Sequence, residues 1–176
     1  MIDKVIVGSE EWCALPELKV PAVKVRVDSG AKTSALHAEQ ITPFDKNGET
    51  WVRFIIHPIQ RNVKSTISCE AKVIDKRIVK SSTGTRESRY VINTEISLGE
   101  KSWVIELTLT NRDSMGFRML LGREAMTGKI IVDPDERFKF GIVTHEKIEE
   151  YYNASSNEKH GLRIGVLASN PELYSN

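Results

Sequence analysis

The sequence is poor in the features that mark specialised proteins. It has two cysteines, Cys13 and Cys69, far apart and in no Cys-x-x-Cys pattern. One disulfide is arithmetically possible, but no paired-thiol motif is present. No apolar run approaches the length of a membrane span. Met1-Ile2-Asp3-Lys4 lacks the apolar core of a signal peptide. The expectation is a cytoplasmic protein with reduced thiols and no membrane partner. Net charge is only +1, too little for the broad basic footprint of a nucleic-acid binder. The four histidines, His37, His57, His145 and His160, form no His-Glu-x-x-His motif. No Cys or His pair has ligand spacing, so no metal site is expected. There is no Walker loop, so nothing in this chain is expected to use ATP.

What remains is ordinary material for one globular domain. The 176 residues are 40% hydrophobic and 28% charged, enough to bury a real core. Short apolar runs separated by turn signals predict a mainly β chain. Val5–Val7, Ala22–Val27, Trp51–His57, Thr66–Ile74, Tyr90–Leu98, Ser102–Thr110, Phe117–Leu121 and Lys129–Val132 read as strands. Gly99-Glu100-Lys101 reads as a hairpin turn. Gly122 to Gly128 has room for one or two helical turns. Many short strands at this spacing favour a compact barrel or sandwich.

The texture changes near residue 144. Thr144 to Tyr152 predicts a short helix with Thr144 as N-cap. Residues 153–161 are small and polar, like a linker. Leu162 to Ala168 is then a buried-type strand with nothing after it to supply a sheet. Either it folds back on the β domain, or it opens a region that continues in a longer protein.

The stretch most suggestive of chemistry is "VKVRVDSGAKTSALHA", residues 23–38. Val23, Val25 and Val27 share one face, and the strand runs into Asp28-Ser29-Gly30-Ala31. Gly30 permits unusual backbone, Ala31 a close approach, and Ser29 offers a hydroxyl. One carboxylate alone is a poor hydrolase. Two held together share a proton, so that one serves as base and the other as acid. With one such turn per chain, a dyad needs two copies of the chain. Taken alone, the tripeptide is also common turn chemistry.

The wider pattern adds to this. A strand into Asp-Ser-Gly-Ala, followed by "MLLGREAM" at residues 119–126, resembles the retropepsin-type aspartic proteases. "WVRFIIHPIQR", "CEAKVIDKR", "ESRYVINTEISLG", "IELTLTNRDSMGFRMLLGREAM" and "VDPDERFKFG" are similar to the bacterial RimB-type members, often labelled ATP-dependent zinc proteases. The resemblance implies a closed retropepsin-like β-barrel with one or two short helices over residues 1–143, and a helix and linker over 144–161. It also implies Asp28 as the catalytic acid and Ser29 as the brace between two turns. Gly30 and Ala31 would complete the turn, and Leu120, Leu121 and Gly122 would support it. The family usually has Thr where Ser29 stands, and both carry the hydroxyl.

"LRIGVLASNPELYSN", residues 162–176, resembles the opening strand of a RimK-type α-L-glutamate ligase, an ATP-grasp enzyme that adds glutamates to a ribosomal protein. That implies ATP and Mg only in a ligase region outside this chain. It also implies a RimK-like ligase as partner and, as substrate, a glutamylated ribosomal protein or acidic peptide tail. "RIVKSSTGTRESRY", residues 77–90, reads as a basic loop between strands, with Arg86 and Arg89 as candidate carboxylate partners. This loop, or one near Ser65, would be the flap over the substrate. Arg112 and Asp113 are expected to pair, and Arg123 to brace the short helix. Two functions stay open: a homodimeric aspartic endopeptidase, or a non-catalytic module that presents substrate to a ligase.

Overall fold

A computed structural model describes residues 3–58, 66–81, 83–112, 116–144 and 146–150. These residues form a mainly β fold. The strands are β1 (Val5–Val7), β2 (Glu10–Leu15), β3 (Val20–Val27), β4 (Ser34–His37), β5 (Glu39–Lys46), β6 (Glu49–Ile56), β7 (Ile67–Lys80), β8 (Arg86–Leu98), β9 (Lys101–Thr110), β10 (Met119–Leu121) and β11 (Ile130–Val132). One short helix, α1 (Arg123–Met126), lies between the last two. Residues 146–150 are helical as well, and Lys147 N donates to Thr144 Oγ1 at 3.4 Å, the expected N-cap. The linker and the ligase-like strand expected after residue 152 lie outside the described residues.

The large sheet runs β2-β3-β10-β4-β9-β8-β7-β6-β5, and β2 also bridges β8 at Ala14 and Ser97. That bridge closes β2, β3, β10, β4, β9 and β8 into a ring. Strand β10 runs parallel to β3 and antiparallel to β4. Strand β4 in turn runs parallel to β9. Alternating apolar residues fill the ring: Val23, Val25, Leu36, Phe54, Ile92, Ile96, Leu107 and Leu121 are fully buried. Cys13 and Cys69 are buried and free. Burial pushes the Cys69 thiol up to about 12, and the Cys13 thiol higher still, so both stay protonated.

Several boundaries differ from the sequence reading. The expected loop at residues 77–90 is mostly strand: Arg77–Lys80 pairs in register with Arg86–Arg89, and only Ser81 to Thr85 lies between the strands. Strand β7 is shared, pairing β6 through its first half and β8 through its second. The pairing slips between Val73 and Asp75, and beyond that point the hairpin is largely solvated. The hairpin at Gly99 is as expected, with Gly99 at φ +60°.

The chain after β11 straps the ring. Asp133 N donates to Val7 O at 2.8 Å, Ser9 N to Glu136 O at 2.8 Å and Phe138 N to Glu10 O at 2.9 Å. Lys139 N donates to Glu11 Oε1 at 2.6 Å. Val143 and Ile148 then pack with Trp12. Glu11 is fully buried, and desolvation raises its pKa to about 7 against the pull of the Lys139 amide. Its contribution to stability is therefore complete below its unfolded pKa, near 4.5, and is lost as pH rises through about 7. Glu11→Gln keeps an oxygen acceptor and removes the titration. The wild-type melting temperature should fall between pH 5 and pH 8 relative to Glu11→Gln, which thermal melts across that range would measure.

Candidate active site

Strand β3 ends on Asp28 because its partner ends there too. Leu121, the last residue of β10, lies opposite Val27, and Leu121 O accepts from Asp28 N at 2.9 Å. The chain then turns sharply. Asp28 Oδ1 accepts from Gly30 N at 3.0 Å and from Ala31 N at 3.3 Å. Two backbone donors thus fix one carboxylate oxygen, and the carboxylate is half-buried. Gly30 does not use left-handed backbone, contrary to the conformational argument from sequence. A Cβ at Gly30 would instead stand 3.1 Å from Asp28 Oδ1, so a side chain there would crowd the carboxylate.

The turn is held from below by α1. Arg123 N donates to Ala31 O at 2.7 Å and Glu124 N to Lys32 O at 3.0 Å. These are the first amides of a helix, which have no partner within it. Arg123 Nη1 adds a bond to Ser29 O at 3.1 Å. Arg123 therefore braces the Asp28 turn as well as the helix. Gly122 has no room for a side chain: a Cβ there would meet the Thr33 carbonyl carbon at 2.5 Å and Ser34 N at 2.7 Å. Gly122 N donates to the buried Ser34 Oγ at 2.9 Å, and Thr108 Oγ1 donates to Ser34 O at 3.0 Å. Leu121 faces the core, while Leu120 faces the cavity over Asp28.

That cavity has a volume of about 1390 Å³, larger than a small-molecule pocket and open enough for an extended chain. Strand β3 and the Asp28 turn form its floor. Ile78, Val79, Lys80, Ser81 and Thr83 of the β7–β8 hairpin line it as well. Of the two flap positions expected from sequence, the hairpin tip is the one described, and Ser65 lies outside the described residues. Among the described residues Asp28 is the only carboxylate lining the cavity.

The arginines expected near the substrate sort unequally. Arg89 lines the cavity but is buried, its Nε held by Glu87 Oε2 at 2.9 Å. Arg86 is exposed and is not part of the lining. Arg112 sits 3.9 Å from Glu87, and Asp113, its expected partner, lies outside the described residues. Away from the cavity, Glu39 lies between two histidines, 3.1 Å from His57 Nε2 and 3.8 Å from His37 Nε2. Sequence reasoning missed Ser34, whose hydroxyl has no sequence signal. It also missed Arg26 in the lining, although Arg26 shares a strand face with Asp28 by simple alternation.

Comparison with known proteins agrees with this fold. The family model described as "Retropepsin-like aspartic endopeptidase RimB" matches residues 6–140. A protein of Shewanella halifaxensis named "Probable alpha-L-glutamate ligase" is 59% identical over 174 residues, 99% of this chain. A protein of the same name from Parasynechococcus marenigrum is 52% identical over 176 residues. The chain spans 38% of the length of each of these curated relatives. A crystal structure of a Legionella pneumophila protein of unknown function superposes with a TM-score of 0.64 at 30% identity, covering 77% of this chain and 97% of that one.

Removing the Ser34 hydroxyl leaves the buried Gly122 amide without its acceptor. Ser34→Ala should cost about 1–3 kcal/mol of stability, read as a lower midpoint in urea unfolding.

Proposed function

This chain belongs to the RimB-like family of retropepsin-like aspartic endopeptidases, and we propose that it is itself an aspartic endopeptidase that works as a homodimer with one Asp28 from each copy. The observation that carries this reading is the cavity: an extended cleft that, among the described residues, holds one carboxylate, fixed by two backbone amides, and is lined also by a hairpin. A dyad requires a second carboxylate, and a second copy related by a two-fold axis supplies it. The two acids then hold one proton between them. The ionised one takes a proton from water, whose oxygen attacks the peptide carbonyl carbon. The protonated one donates to the carbonyl oxygen. The tetrahedral intermediate collapses by breaking the C–N bond, with the proton passing to the leaving amine.

Ser29 suits the role of brace. It is exposed, and its hydroxyl has no hydrogen-bond partner among the described residues, so it is available to a second turn. Leu120 would line the floor beside the scissile bond, and Gly122 would keep β10 close enough to hold Asp28.

The substrate we assign is an acidic peptide, in particular a glutamate-extended tail of a ribosomal protein. Support comes from the relatives, which are named as glutamate ligases and are longer than this chain. A whole protein of that length would join this domain to a ligase, with ATP and Mg confined to the ligase region. The alternative, a module that holds acidic tails without cutting them, draws on the same cavity and on the single carboxylate per chain.

Cleavage of a glutamate-tailed peptide by wild type and by Asp28→Asn, each with and without a chelator, separates these readings. The expected outcome is cutting by wild type, loss of at least about a hundredfold in Asp28→Asn, and no effect of the chelator. Equal inertness of both proteins, with the peptide still bound, would favour the binding module.

A further inference from the structure

Among the described residues, the cavity over Asp28 is lined by six cations, Arg26, Lys32, Arg77, Lys80, Arg89 and Arg112, against the single carboxylate of Asp28. Four of the six have acidic neighbours. Arg77 is bound by both Asp75 and Glu106. Arg89 is bound by Glu87, and Arg112 lies 3.9 Å from the same carboxylate. Lys32 approaches Glu124 at 3.7 Å. Arg26 and Lys80 form no ion pair among the described residues, although Glu10 of β2 lies opposite Arg26 in the strand register. Their positions are complementary. Arg26 lies two residues before Asp28, so strand alternation sets it on the same face of β3, and its guanidinium rests 5.8 Å from the Phe117 ring centroid. Lys80 is the last residue of β7, in the hairpin that also lines the cavity.

We propose that Arg26 and Lys80 are the residues that select acidic side chains, gripping carboxylates of a bound peptide from β3 and from the β7–β8 hairpin. For cleavage this rests on the endopeptidase reading above, whereas the selection itself is a property of binding. An unneutralised cation in a cleft with low-dielectric walls focuses potential on whatever enters. The Arg26 guanidinium presents a planar fork that matches a carboxylate, while the Lys80 ammonium acts as a point charge on a flexible stem. The paired arginines serve differently: their donors are already engaged, and they hold the walls in shape.

The test uses two peptides of equal length, one with a run of glutamates and one with glutamines in their place. Binding is measured by fluorescence anisotropy on the Asp28→Asn chain, so that no substrate is consumed. Arg26→Gln and Lys80→Gln should each weaken the glutamate peptide about fivefold and leave the glutamine peptide unchanged. The double variant should bind both peptides alike, and the salt dependence seen for the glutamate peptide should flatten with it. Lys46→Gln, which removes the same charge where Lys46 stacks on Trp51, should change neither. A glutamate preference that survives in the double variant, or that Lys46→Gln erodes equally, would overturn the proposal. Cleavage by the chain with Asp28 intact is scored separately. Charge-selective binding without cutting sinks the endopeptidase reading and leaves the clamp standing. Cutting with no difference between the two peptides does the reverse.

Discussion

The tight crossing of Gly122 over Thr33 and Ser34 is the constraint on which the site depends. Strand β10 is only three residues long, yet it separates β3 from β4, which follow one another in the chain. To lie between them it must leave the sheet immediately and pass the turn that joins them. A side chain at Gly122 would collide with backbone, which has nowhere to move. With that passage open, Leu121 O reaches Asp28 N and the first amides of α1 reach the carbonyls of Ala31 and Lys32. The carboxylate is then placed largely by main-chain donors, with the Ser34 hydroxyl and the Arg123 guanidinium holding the crossing and the turn. Such placement holds the carboxylate in one position ahead of anything that enters the cleft.

Charge is arranged around this fixed point with some economy. Glu87 alone binds Arg89 and Thr110 and lies near Arg112, so one acid on the hairpin strand ties the buried Thr110 to two arginines of the cavity wall. Arg77 is held between Asp75 and Glu106, which ties β7 to β9 across β8. Exposed ion pairs add little to folding stability. Their value here is geometric, since they keep long side chains of the walls from filling the cleft.

The strand pattern was legible wherever burial is one-sided. Ala22–Val27, Trp51–His57 and Ser102–Thr110 alternate cleanly, and each is a strand at nearly those bounds. Strand β2 was not legible, because "EEWCAL" carries a buried Glu11 where an apolar residue would complete the pattern. Strand β5 was missed because "EQITPFDK" is mostly exposed and contains a proline, both of which read as loop. The outer hairpin has the Ser, Thr and Arg content of a loop, and its pairing shows only in the cross-strand register. At the site, the Asp28 turn and the Leu120-Leu121-Gly122 strand stood out together. What tied them, the Ser34 hydroxyl and the Arg123 guanidinium, depends on residues brought near only by the closed ring.

The slip in pairing between Val73 and Asp75 has a consequence for how this protein can change. On one side of it lie Val73 and Ile92, whose neighbours fill the ring and set stability. On the other side Ile78 is 72% exposed and its flanking residues face solvent or the cleft. Substitutions in the outer hairpin therefore meet little packing resistance, while they act directly on whatever the cleft receives. Foldedness and selectivity are assigned to different stretches of the same two strands. Such a division lets a lineage alter the lining of its cleft without passing through unstable intermediates.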